Sequence, residues 1–272
     1  MNGNLLPSVF YANKTVRVSG FSGVIYAGTN LPFTITGVIN PPSTQSVAAF
    51  SVGTYRNDYV IDRSSTSPAY QATVGNLIAA LAPTNPQAST STNYAFTITL
   101  GNAITSTSRI LINFPASFSL PSGNFVCSSD RSVSSPICTY TSANSIMTIT
   151  SFTSTALSQG NAIVLTINGI TNPSVVGQIA SFTITTTYSS TVDYVDTIVS
   201  GVQFTVTPRT LSPSNIVLTS SSNIVYSQAS LTFTINNFNP VLANTNIFIG
   251  FPAELIRTSS TCSVNSVGKS CS

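Results

Sequence analysis

Phe96-Thr97-Ile98-Thr99 followed by Arg109-Ile110-Leu111-Ile112-Asn113-Phe114-Pro115 decides the reading of this chain, because both segments return further along. They reappear as Phe233-Thr234-Ile235-Asn236 and Asn246-Ile247-Phe248-Ile249-Gly250-Phe251-Pro252. Phe96 to Phe233 and Phe114 to Phe251 both span 137 residues, and a pair of cysteines follows each block. A second set of matches reaches back towards the N-terminus. Phe33-Thr34-Ile35-Thr36-Gly37-Val38-Ile39-Asn40-Pro41 answers to Leu165-Thr166-Ile167-Asn168-Gly169-Ile170-Thr171-Asn172-Pro173, 132 residues on. At the same offset Ala49-Phe50-Ser51-Val52 answers to Ser181-Phe182-Thr183-Ile184, after which a shift of about three residues sets Asp58-Tyr59-Val60 against Asp193-Tyr194-Val195. Shifts of that size belong in a hairpin loop. A period of about 135 in 272 residues makes about two units, each large enough for its own core.

The repeated segments alternate with period two: Phe96, Ile98 and Leu100 face one way, Thr97 and Thr99 the other. The same alternation marks Val16-Arg17-Val18, Ile146-Met147-Thr148-Ile149, Ile163 to Ile167, Phe182 to Thr185 and Val202 to Val206. Gly37 and Gly169 precede Asn-Pro dipeptides, which predicts a strand followed by a corner at each. Seven or eight short strands per unit, with turn signals between them and no helical period, predict an all-β fold of tandem antiparallel β-sandwich repeats of immunoglobulin-like size. The Cys, Trp, Cys arrangement of true immunoglobulin domains is missing, because the chain has no Trp. Residues 1–82 read as the later part of one repeat, 83–207 as one complete repeat, and 208–272 as the first part of the next. Following chain or a neighbouring subunit would complete that last part.

Composition narrows the function classes. Only fifteen residues carry formal charge, and the net charge of +3 comes from scattered basic residues, so the footprint of a nucleic-acid binder is missing. With no His and six acids in no recognisable motif, the usual general base and the commonest metal ligand are lacking, and the reading is not an enzyme, with no cofactor. No run of 18 apolar residues is present, so no membrane span is expected, and Met1 to Pro7 shows no secretory leader pattern.

Four cysteines fall in two close pairs, Cys127 with Cys138 and Cys262 with Cys271, which suits disulfides in an oxidising compartment and hence an extracellular or cell-surface protein. Each pair is expected to staple a loop; reduced buried thiols are the alternative. A zinc site would need cysteines of different repeats to converge without any C-x₂-C spacing. Asp58 with Asp62, and Asp193 with Asp196, could ligate Ca²⁺, although solvated hairpin carboxylates are the plainer reading. The chain holds 82 Ser and Thr, and with so little charge its surface depends on hydroxyls or attached sugar. Asn13, in Asn13-Lys14-Thr15, is the only N-glycosylation sequon. The runs Ser64 to Pro68, Ser89 to Thr92 and Thr219 to Ser222 are candidate O-glycan sites.

Gly169-Ile170-Thr171-Asn172-Pro173 followed by Ser181-Phe182-Thr183-Ile184-Thr185-Thr186, with its echo from Gly37 to Val52, resembles tandem repeats in long surface proteins of ciliates and other protists. The resemblance implies an extracellular, cell-surface or appendage protein with disulfides and covalent glycans. Together these readings predict a structural subunit of an extracellular fibre or filament that associates with itself head to tail. A cell-surface adhesin or glycan-binding receptor stalk is the alternative.

Overall fold

The computed structural model describes residues 8–12, 15–21, 23–64, 70–188, 193–237, 246–256, 261–264 and 267–270, with 8–12, 261–264 and 267–270 described as backbone. Two compact units divide the chain, 1–40 and 41–272. In the first, β1 (Ser8–Ala12) and β2 (Thr15–Ser19) form an antiparallel hairpin that sets Phe10 opposite Arg17. Residues 33–36, expected as a strand ahead of the corner at Gly37, are irregular, and Phe33 and Ile35 are exposed.

The second unit opens with a hairpin of β3 (Val52–Arg56) and β4 (Tyr59–Ser64). Asn57 and Asp58 turn it, both at positive φ, a conformation that Asn and Asp tolerate better than most residues and that two-residue hairpin turns require. The main body follows: β5 (Gly75–Asn76), β6 (Ile78–Pro83), β7 (Ser91–Thr99), β8 (Arg109–Asn113), β9 (Gly123–Phe125), β10 (Cys127–Ser129), β11 (Ile137–Thr141), β12 (Ile146–Thr150) and β13 (Ala162–Thr171). It ends with β14 (Gly177–Gln178), β15 (Thr183–Thr187), β16 (Tyr194–Ile198) and β17 (Thr205–Val206). After a 3₁₀ turn at Pro213–Asn215 come the hairpin of β18 (Ile216–Ser220) with β19 (Leu231–Ile235) and the hairpin of β20 (Thr261–Val264) with β21 (Val267–Ser270). The protein is thus all-β, in several sheets.

Two of these sheets build the core, a four-stranded one in the order β10-β13-β7-β6 and a seven-stranded one in the order β5-β16-β15-β8-β12-β11-β9. Alternation places Tyr94, Phe96 and Ile98 of β7 and Ile163, Leu165 and Ile167 of β13 on the inner face of the first. Ile110, Ile112, Met147, Ile149 and Ile184 occupy the inner face of the second, and one continuous apolar cluster joins both, as in a β-sandwich. At its centre lies Phe182, whose ring meets Tyr94, Phe96, Phe114 and Phe118 at centroid distances of 5.0–6.3 Å, mostly edge to face or tilted. The sheets begin at Gly75, ahead of residue 83, so β5 and β6 are built with the central repeat.

Three expected strands differ in the structure. β13 runs through Gly169 to Thr171 where a corner was expected, because a register shift between Ile167 and Ile170 absorbs Gly169 at φ +74° and lets pairing with β7 resume. Val202 to Val206 is strand only at Thr205–Val206, although the carbonyls of Val202 and Phe204 still accept from Phe182 and Ile179. Asn246 to Gly250 forms no strand, and no neighbouring strand flanks it among the described residues, unlike its counterpart β8.

Candidate functional site

The Cys127–Cys138 pair forms a disulfide with a Cα–Cα distance of 6.3 Å. The bond closes the expected loop, and its place in the fold gives it a second role. Cys127 starts β10 in the four-stranded sheet and Cys138 lies in β11 of the seven-stranded one, so the bond crosses the core and ties the two sheets together. Both cysteines are buried. Spacing alone concealed this, because the sheet each cysteine joins is set by its strand's pairing with another segment: Cys127 with Ile167, Cys138 with Phe125 and Ile149. Cys262 stands opposite Lys269 in the β20–β21 hairpin, and Cys271 lies outside the described residues, as does Asn13.

The carboxylates do not gather. Among the described residues no three His, Cys, Asp or Glu side chains come together in a metal-binding cluster. Asp58 sits in the tight turn, and the Asp62 carboxylate accepts a 2.9 Å hydrogen bond from the Thr54 hydroxyl across the same hairpin. Asp196 departs from the expected solvated hairpin carboxylate, because it is fully buried. The backbone N–H groups of Gly101 and Asn102 donate to its Oδ2 at 3.0 and 2.9 Å, and the Asn102 side-chain amide donates to Oδ1 at 2.7 Å. Three donors converging on a buried carboxylate offset its desolvation and pin the β7–β8 loop to β16. Gly101 is required there, because a Cβ at that position would collide with the Asn76 carbonyl.

A second buried polar tie escaped the sequence. The Tyr94 hydroxyl donates to Asn172 Oδ1 at 2.5 Å, while Asn172 Nδ2 donates to the carbonyls of Asn85 (2.8 Å) and Gln87 (2.7 Å). Burial pushes the Tyr94 phenol well above the ordinary tyrosine range. Asn172-Pro173 had signalled only a turn; the signal for the tie is a tyrosine at an inward strand position, where its hydroxyl must find a partner. Of the hydroxyl runs, Ser89 to Thr92 is partly committed to structure: Thr92 is buried and its Oγ1 accepts from the Asn85 N–H. Thr219, Ser220 and Ser221 are exposed.

These features hold the central sandwich shut. What remains unsatisfied lies beside it. Among the described residues β3 pairs with β4 alone, on one edge, whereas its sequence counterpart β15 is paired on both edges, by β16 and β8. The apolar residues of β3, β4 and the 246–251 segment are largely exposed, although several of their counterparts in the central unit, Ile110, Ile112, Phe114, Ile184 and Val195, are buried. Phe233 and Phe251 make an edge-to-face contact at 6.4 Å. An open strand edge beside uncovered apolar side chains is a surface suited to adding another strand.

No helix among the described residues is long and apolar enough to cross a membrane. A scan against protein-family models and a search of curated proteins each found no match.

Proposed function

We propose that this chain is a structural part of an extracellular, glycosylated fibre or filament, built from tandem immunoglobulin-like β-sandwich repeats with a period of about 135 residues. The observation that carries this reading is the contrast between a sealed central sandwich and repeated sequence on both sides of it that keeps its apolar residues exposed. Units of this kind satisfy their strand edges and apolar faces by joining end to end, and a linear array is the product. The disulfide that ties the two sheets of the central unit supports an extracellular site, where such bonds persist, and suits a module under tension. The hydroxyl-rich, nearly uncharged surface supports covalent glycans as its means of hydration.

The test is size-exclusion chromatography with light scattering, and negative-stain electron microscopy, on the oxidised chain before and after enzymatic deglycosylation. Concentration-dependent growth into filaments is the expected outcome. A monodisperse species near 28.4 kDa at every concentration, with no glycan removed, would overturn the proposal.

A further inference from the structure

Resting on that repeat reading, we infer that the open edge of β3 in one copy of this chain receives residues 246–251 of a second copy, which complete a sandwich half of each. The inference uses the central unit as its template. There β8 lies antiparallel to β15, with Ile112 opposite Ile184, Leu111 opposite Thr185 and Ile110 opposite Thr186. Carrying these pairs along the two sequence offsets sets Ile249 opposite Val52, Phe248 opposite Gly53 and Ile247 opposite Thr54. In the template the inward side chains Phe182, Ile184 and Thr186 of one strand segment face the core with Ile110, Ile112 and Phe114 of the other, and all six are buried. Among their counterparts Val52 is 51% exposed, Ile249 42% and Phe251 49%.

The aromatic geometry names the same partner. In the central core the Phe182 ring stands against both Phe96, at 5.6 Å, and Phe114, at 5.0 Å. The counterparts of those two rings, Phe233 and Phe251, are already paired, and the counterpart of the third ring is Phe50. Backbone chemistry agrees. Residues 246–250 match a strand in sequence but form none, and among the described residues β3 pairs on one edge only, so each has hydrogen-bonding groups the other can satisfy. The occupant is therefore a segment of this chain's own sequence, presented by another copy.

Disulfide trapping in the full 272-residue chain tests this, with Val52→Cys in one preparation and Ile249→Cys in an isotopically labelled second preparation. After mixing and mild oxidation, the expected result is a reducible cross-linked dimer whose unreduced digest contains the residue-52 peptide bound to the labelled residue-249 peptide. A Thr54→Cys chain in place of the first, two residues out of register, is expected to lose that product, and Phe50→Asp added to Val52→Cys is expected to reduce it at least tenfold. No cross-link, or equal cross-linking at positions 52 and 54, would overturn the inference. So would a double Val52→Cys/Ile249→Cys chain that closes on itself as a monomer at high dilution. Filaments without this cross-link would overturn the exchange and leave the fibre reading standing. Cross-linked closed dimers without filaments would support the exchange and count against the fibre.

Discussion

Replacing Phe182 by alanine, and in parallel its repeat counterpart Phe50, separates a built core from an unbuilt one within a single chain. Phe182 is fully buried and touches four aromatic rings, Tyr94 and Phe96 of β7 and Phe114 and Phe118 of the segment after β8. Truncation removes a ring from a cluster that cannot collapse without drawing the two sheets together. The cost therefore belongs at the upper part of the ~3–5 kcal/mol range for Phe→Ala in cores. With a urea dependence of about 2 kcal/mol per molar, a loss of ~4 kcal/mol lowers the unfolding midpoint by about 2 M. Phe50 is more than half exposed, so Phe50→Ala is expected to stay within about 0.5 kcal/mol in dilute protein. The chain has no Trp, and tyrosine fluorescence with near-ultraviolet circular dichroism follows the transition. A loss below about 1 kcal/mol for Phe182→Ala, or equal losses for the two variants, would refute the argument that only the central repeat has a closed core.

Reducing the Cys127–Cys138 bond is expected to cost about 2–3 kcal/mol, from the entropy of closing a loop of eleven residues, and to speed amide exchange in β10 and β11 together; exchange confined to the loop would contradict a bond between sheets. Tyr94 carries a pH dependence of definite sign. Its folded-state pKa lies above the unfolded value of about 10, so the contribution is fully present below pH ~10 and is lost as the pH rises further, because the unfolded chain releases the proton first. Tyr94→Phe is expected to flatten that alkaline decline and to lower neutral-pH stability by about 1–2 kcal/mol through the unpaired Asn172 oxygen; denaturation series at pH 7 and above 10 measure both.

Much of the fold was legible because a half-buried strand writes its burial in alternation. Tyr94, Phe96 and Ile98 read as one inward face, and the structure buries all three. The candidate site was less legible. Asp196 looked like its hairpin neighbour Asp193, yet its burial depends on Gly101 and Asn102, some 95 residues away, and no local pattern reports such a meeting. Nor did the alternation in Asn246 to Gly250 separate a strand from a sequence able to become one. Strand formation needs a partner's hydrogen bonds, and alternation records only which face would be buried.

Sequence alone therefore determined the β class and the inward faces of the central strands, because side-chain period is a local property of the chain. Tertiary structure decided which sheet each strand joins, and with it that Cys127–Cys138 spans the core, that Asp196 is held by a loop and that β3, among the described residues, pairs on one edge only. Those facts depend on which distant strands find one another, and pairing energy is shared between two segments that neither can specify by itself.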